Sequence, residues 1–265
     1  VISTERRVAL DDGAETTLEL WGDRGPLILA VHGMTSSRKA WQRLANHWSG
    51  RFRVAAYDQR GHGDSAAVTG PMALARGVRD ALNVAGSLDS APAALLGHSW
   101  GGAVSILAGI HLPVKLVATI DPMLHQASRA WYDEYVVELR EQFALRGDAR
   151  DAATRLAAAD WDPIDIEGKV HAMHSMTTEP IERLFRENPP LVWDVRPALS
   201  DYPKPLLLLL AAPNEGINKA TVVDAVQRDR STAVEIVEVP GAGHNLHRAD
   251  FPAAAAALDS FFRPL

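Results

Sequence analysis

The chain reads as an α/β protein: a mostly parallel sheet with helices on both faces. Two observations predict it. Strand-like and helix-like segments alternate along most of the 265 residues, as strand–helix crossovers require. One turn, Gly97-His98-Ser99-Trp100-Gly101, joins a strand directly to a helix. In order, residues 6–10 and 16–21 flank Asp11-Asp12-Gly13, a turn signal, and predict an opening antiparallel hairpin. Apolar runs predict strands at 27–31, 52–57, 93–97, 115–120, 205–210 and 233–239. Helices are expected near 38–48, 72–88, 101–110, 218–229 and 250–262, and the run Ala253 to Ala257 lets the last lie close to the sheet. Residues 123–199 break the alternation: they hold no convincing strand, with helical stretches clearest at 129–146 and 148–159. No repeat or low-complexity linker appears.

Composition narrows the function classes. Hydrophobic residues make up 47% of the chain, enough for a substantial core. A net charge of −6 and a pI near 5.9 argue against nucleic-acid or anionic-membrane partners, which call for basic patches. With no cysteine there is neither disulfide nor thiol chemistry. The start, Val1-Ile2-Ser3-Thr4-Glu5-Arg6-Arg7, lacks the apolar stretch of a signal peptide, and Leu206 to Leu210 is too short to span a bilayer. A cytoplasmic location is expected, although the first residue is not methionine.

The strand-to-helix turn carries the chemistry. A chain that bends this sharply forces the residue at the bend into a strained conformation, tolerable only if its flanks are nearly bare; Gly97 and Gly101 meet that need. The bend lifts the Ser99 hydroxyl above the sheet edge, beside a helix N-terminus. A serine hydroxyl is a weak nucleophile near neutral pH and needs a base. The alternating strand 233–239 runs into Pro240-Gly241-Ala242-Gly243-His244, a flexible turn able to carry His244 over the strand ends. His247 reads as a surface residue or as support behind the site.

On these residues the chain resembles the α/β-hydrolase family, over nearly its whole length. Leu27 to Met34 is similar to the third strand and HG loop of that family. Tyr57 to Ser65 resembles its D-x-R-G-x-G-x-S loop, and Asp121-Pro122 closes a run as after strand six. The resemblance implies an α/β-hydrolase fold, with core at 1–122 and 200–265 and a helical cap at 123–199 inserted after strand six. It implies an oxyanion hole from the backbone N–H groups of Met34 and Trp100, and structural roles for Asp58 and Arg60. The triad acid should follow strand seven as Gly-x-x-Asp, but Ala212 and Glu215 stand there. Glu215 is the favoured acid, Asp121 the rival, and Asn214 or no acid at all the remaining options.

The expected function is that of a metal-free, cofactor-free serine hydrolase acting on a small or medium, largely apolar carboxylic ester or lactone. Serine at the bend argues against relatives that use aspartate there, the haloalkane dehalogenases and epoxide hydrolases. Aminopeptidase, C–C hydrolase, thioesterase and low-turnover binding or receptor readings are the alternatives. His171 and His174 lack the companion ligands of a metal site. The 123–199 segment carries more acids than bases, which offers an anionic substrate no obvious clamp.

Overall fold

Strands apolar on both sides can exist only inside a molecule, and the middle of this chain consists of such strands. A computed structural model describes residues 2–67, 70–125, 129–189, 193–212 and 215–265, the side chains of 129–132 excepted. Eight strands form one sheet: β1 (Ser3–Ala9), β2 (Glu15–Trp21), β3 (Leu27–Val31), β4 (Arg53–Tyr57), β5 (Ala94–His98), β6 (Leu116–Ile120), β7 (Leu206–Ala211) and β8 (Val234–Val239). Their spatial order is β1-β2-β4-β3-β5-β6-β7-β8. The pairs β1–β2 and β2–β4 are antiparallel, and every later pair is parallel. This is the α/β-hydrolase fold.

The two-residue period of a strand divides the core into two layers. Leu27, Leu29 and Val31 face one layer, Ile28 and Ala30 the other; along β7, Leu206, Leu208 and Leu210 oppose Leu207, Leu209 and Ala211. Each fully buried leucine contributes about 1.5–3 kcal/mol relative to exposure. One layer is closed by α1 (Gln42–His47) and, near the C-terminus, by α10 (Phe251–Phe261). There Ala254 and Ala255 pack with Trp41, Trp48 and Phe262. The other layer is closed by α2 (Leu74–Gly86) and α3 (Trp100–His111). The helix expected over 38–48 begins instead as a 3-10 turn, Arg38–Trp41, and only then becomes α1.

Between β6 and β7 the chain forms α4 (Arg129–Ala144), α5 (Gly147–Ala157), α6 (Pro163–His174) and α7 (Glu179–Glu187). The segment leaves and returns side by side: His125 and Asp194 form an antiparallel bridge, and the Val195 N–H donates to Leu124 O at 2.9 Å. Phe143, Met173, Met176, Phe185 and Trp193 are buried in the same layer as α2 and α3, so this part is packed against the core. Trp131 and Tyr132 have side chains outside those described. The remaining helices, α8 (Ala220–Asp229) and α9 (Leu246–Ala249), follow β7 and β8. Among the described residues, no helix is long and apolar enough to cross a membrane.

Candidate active site

The site grows out of the turn between β5 and α3. Ser99 has φ 54° and ψ −120°, a conformation that costs a non-glycine residue on the order of 1–3 kcal/mol. Four backbone hydrogen bonds hold it there: the Ser99 N–H donates to Ile120 O at 3.0 Å, and Ser99 O accepts from Gly102 and Met123 N–H at 2.9 Å each and from Ala103 N–H at 3.3 Å. A Cβ on Gly97 would lie 2.3 Å from Gly101 O, and one on Gly101 would lie 2.2 Å from Val31 O. Neither position admits another residue without moving backbone. Trp100 is the first residue of α3, where a backbone N–H has no partner within the helix.

The loop after β3 is shaped by a buried histidine. His32 donates from Nδ1 to Gly33 O at 2.8 Å and accepts at Nε2 from the Gln59 N–H at 3.0 Å. Accepting at Nε2 requires the neutral ring, and burial pushes His32 down to about 4. Fixing the Gly33 carbonyl also fixes the Met34 N–H, because the two point opposite ways across one planar peptide. Asp58 braces the same loop by accepting from the Arg38 and Asp64 N–H groups at 2.7 and 2.9 Å. Arg60 is tied to Asp80 and Asp12. Neither Asp58 nor Arg60 lines the cavity that Ser99 opens into.

His244 lies beyond β8, and its Nδ1 meets Asp121 Oδ2 at 2.6 Å. The sequence favours Glu215 as the partner of this ring; the structure puts Asp121 on it instead. Asp121 ends β6 fully buried, with φ 37°, and also accepts from the Ile217 N–H (3.1 Å) and the Asn218 amide (3.2 Å). Glu215 is exposed and accepts from the Gly241 N–H at 2.6 Å, so it braces the turn that carries His244 without reaching the ring. The physical reason is position: β6 lies next to β5, whereas β7 is one strand further out. Asn214 lies outside the described residues. Sequence reasoning missed Ile217 and Asn218, and it missed Gly216, where a Cβ would sit 2.4 Å from Asp121 Oδ2. The Gly-Ile-Asn run directly behind Glu215 was their only signal.

Two further histidines support His244. The His98 ring lies tilted at 4.7 Å from the His244 ring, and its Nε2 donates to the His244 backbone carbonyl at 3.1 Å. His247, read as surface or supporting, is buried: its ring lies 4.5 Å from His98 and 5.8 Å from Trp41. Burial and nearby charges keep both rings neutral, well below the ordinary histidine value.

Ser99, His244 and Met34 line one cavity of about 550 Å³. Its far wall comes from the segment 129–187, through Tyr135, Leu139, Trp161 and Met173. The charge balance expected of that segment does not describe this wall, since Lys169 and Arg150 also face in. Arg150 is saturated by backbone carbonyls, including those of Met173 and Met176 at 2.8 and 2.7 Å. Among the described residues one group, Asp58, Asp64 and His171, brings possible metal ligands within 4.8 Å of one another. Arg38 already occupies it, pairing with both carboxylates. His174 instead meets Asp151 at 3.0 Å.

A model of the alpha/beta hydrolase family matches residues 28–258. The 2-(acetamidomethylene)succinate hydrolase of Mesorhizobium japonicum is 26% identical over 253 residues, covering 89% of this chain and 88% of that protein. The magnesium-chelatase 30 kDa subunit of Rhodobacter capsulatus is 32% identical over 101 residues, 38% of this chain; the match spans only 36% of that relative. Among solved structures, an E-2-(acetamidomethylene)succinate hydrolase superposes with TM-score 0.85 at 23% identity, covering 99% of this chain and all of that one. The enol-lactonase of Burkholderia xenovorans gives 0.78 at 19% identity, covering 97% and 100%. At these identities the superpositions show the fold alone.

Proposed function

The chain belongs to the alpha/beta hydrolase family, and we propose that it is a serine hydrolase cleaving a carboxylic ester or lactone through an acyl-enzyme on Ser99. The observation that carries this reading is the 2.6 Å contact between His244 Nδ1 and Asp121. With Nδ1–H held by a carboxylate, Nε2 is the free base, and it belongs to a ring that lines the same cavity as Ser99. Nε2 takes the hydroxyl proton as Oγ attacks the substrate carbonyl, and Asp121 stabilises the imidazolium. The N–H groups of Met34 and Trp100 hold the oxyanion, each worth about 3–4 kcal/mol in the transition state. Collapse breaks the bond to the leaving oxygen, which takes the proton from Nε2. Water, deprotonated by the same nitrogen, then releases the acid and restores Ser99. In this reading residues 123–199 act as a cap that shapes the acyl and leaving-group space.

A fluorophosphonate should add once, at Ser99, and abolish p-nitrophenyl butyrate hydrolysis. Ser99→Ala should lose about 10³-fold or more in kcat while melting like the parent. Labelling at Ser36, Ser65 or Ser105 would overturn the assignment.

A further inference from the structure

Three cations line the cavity without a carboxylate in contact; Arg150 is saturated by backbone carbonyls, which leaves Arg248 and Lys169. Arg248 is only 4% exposed. Its guanidinium reaches Ser36 Oγ at 3.2 Å and Asn245 Oδ1 at 3.4 Å and lies 4.8 Å from the Trp161 ring, while its buried Nε has no partner. Asp165, the acid whose charge acts on Arg248, is bonded to Arg43 at 3.0 Å. Lys169 on α6, which lines the same cavity, donates to Thr35 O at 2.7 Å and to Thr35 Oγ1 at 3.1 Å, which leaves one of its three N–H bonds unused. Glu141 is the one carboxylate among the described lining residues; it is exposed and pairs with neither cation.

Other buried cations are compensated, Arg150 by backbone carbonyls and two arginines by carboxylates. Arg38 is ringed by Glu5, Glu19, Asp58 and Asp64, and Arg60 by Asp12 and Asp80. Removing charge from water without a counter-ion is costly, so a buried arginine beside a half-buried lysine is retained only where something compensates them. The cost is visible on both groups. Burial and the charge of Arg248 push Lys169 down to about 7, and burial pushes Arg248 down to about 10. A carboxylate between them would reverse both shifts, and a planar guanidinium suits carboxylate recognition.

We infer that Arg248 and Lys169 form an anion subsite that holds a free carboxylate of the substrate while Ser99 attacks a second, esterified carbonyl of the same molecule. The inference rests on the hydrolase reading and replaces its largely apolar substrate with the half-ester of a dicarboxylic acid. Arg248 stands four residues after His244, and Lys169 is hydrogen-bonded to the residue after Met34. The subsite is therefore tied to both sides of the reacting centre. A carboxylate docked there orients the carbonyl against Ser99, the kind of remote binding that is spent on positioning.

The test separates binding from turnover. Ser99→Ala protein is titrated calorimetrically with the monoethyl esters of succinate, glutarate and adipate and with the corresponding diethyl esters. At least one half-ester should bind ten times or more tighter than its neutral diester. That preference should fall at least tenfold when Arg248→Met or Lys169→Met is added, and Lys169→Arg should retain most of it. Circular dichroism confirms folding of each protein, and Arg248→Lys replaces Arg248→Met should the latter fail to fold, with loss of the preference again expected. Diesters binding as tightly as half-esters, or a preference that survives both cation substitutions, would overturn the subsite. Parent-enzyme hydrolysis of neutral p-nitrophenyl butyrate reports on the hydrolase reading separately.

Discussion

The ends of β6 and β7 each carry a carboxylate aimed at the His244 turn, and they do different work. Asp121 is fully buried and bonds the imidazole; Glu215 is exposed and bonds the backbone N–H of Gly241. One sets the ring, the other the loop that carries it. The β7 loop still serves the acid by supplying two donors, Ile217 N–H and the Asn218 amide, to a carboxylate on its neighbour. An acid and its support can thus be shared between adjacent strand ends. What matters to His244 is the location of the charge, not which loop it comes from.

The sharpest way to break this comparison is Asp121→Asn. It keeps the shape, removes the charge and favours the wrong imidazole tautomer, so kcat should fall by about 10⁴ with little change in KM. Steady-state kinetics on p-nitrophenyl butyrate, beside a thermal melt, reads it. A nearly active Asp121→Asn together with a dead Glu215→Gln would return the role to β7.

Asn218→Ala tests the support. It removes the donor to Asp121 Oδ1 and to Pro122 O, the latter at 3.0 Å. Hydrogen bonds to a charged group are worth about 1.5–3 kcal/mol, which predicts a tenfold to hundredfold loss in kcat. A purely structural role would lower the melting temperature and spare kcat. Gly216→Ala should destabilise by about 1–3 kcal/mol through crowding against Asp121, measured by denaturant unfolding. The smallest effect belongs to Glu215→Gln: an exposed side chain whose amide oxygen can still accept from Gly241. Its kcat should stay within about threefold and its stability within about 0.5 kcal/mol. A hundredfold loss there would mean the two carboxylates are not separable.

Much of the fold was legible because its causes are local. A strand such as Leu206–Ala211, apolar at every position, has to be buried on both faces wherever it lies in the chain. The Ser99 bend was legible for the same reason, since the crowding at Gly97 and Gly101 comes from their immediate surroundings. The limits of α4 and α5 were read to within about two residues at each end, as fraying ends allow. The 38–48 segment was harder, because a 3-10 start and an α-helical end share one apolar pattern.

What the sequence by itself determined about this protein is its layered sheet, the strained serine at the end of β5 and the histidine on a glycine-rich turn after β8. Each follows from steric limits or apolar period within a dozen residues. Only the tertiary structure decided between Asp121 and Glu215, because that choice depends on how far two strand ends lie from a loop more than a hundred residues away from the first of them. It alone showed Lys169 and Arg248 facing one cavity. Charge counted along a segment is blind to direction, and a cation acts on a substrate only from the side on which the folded chain points it.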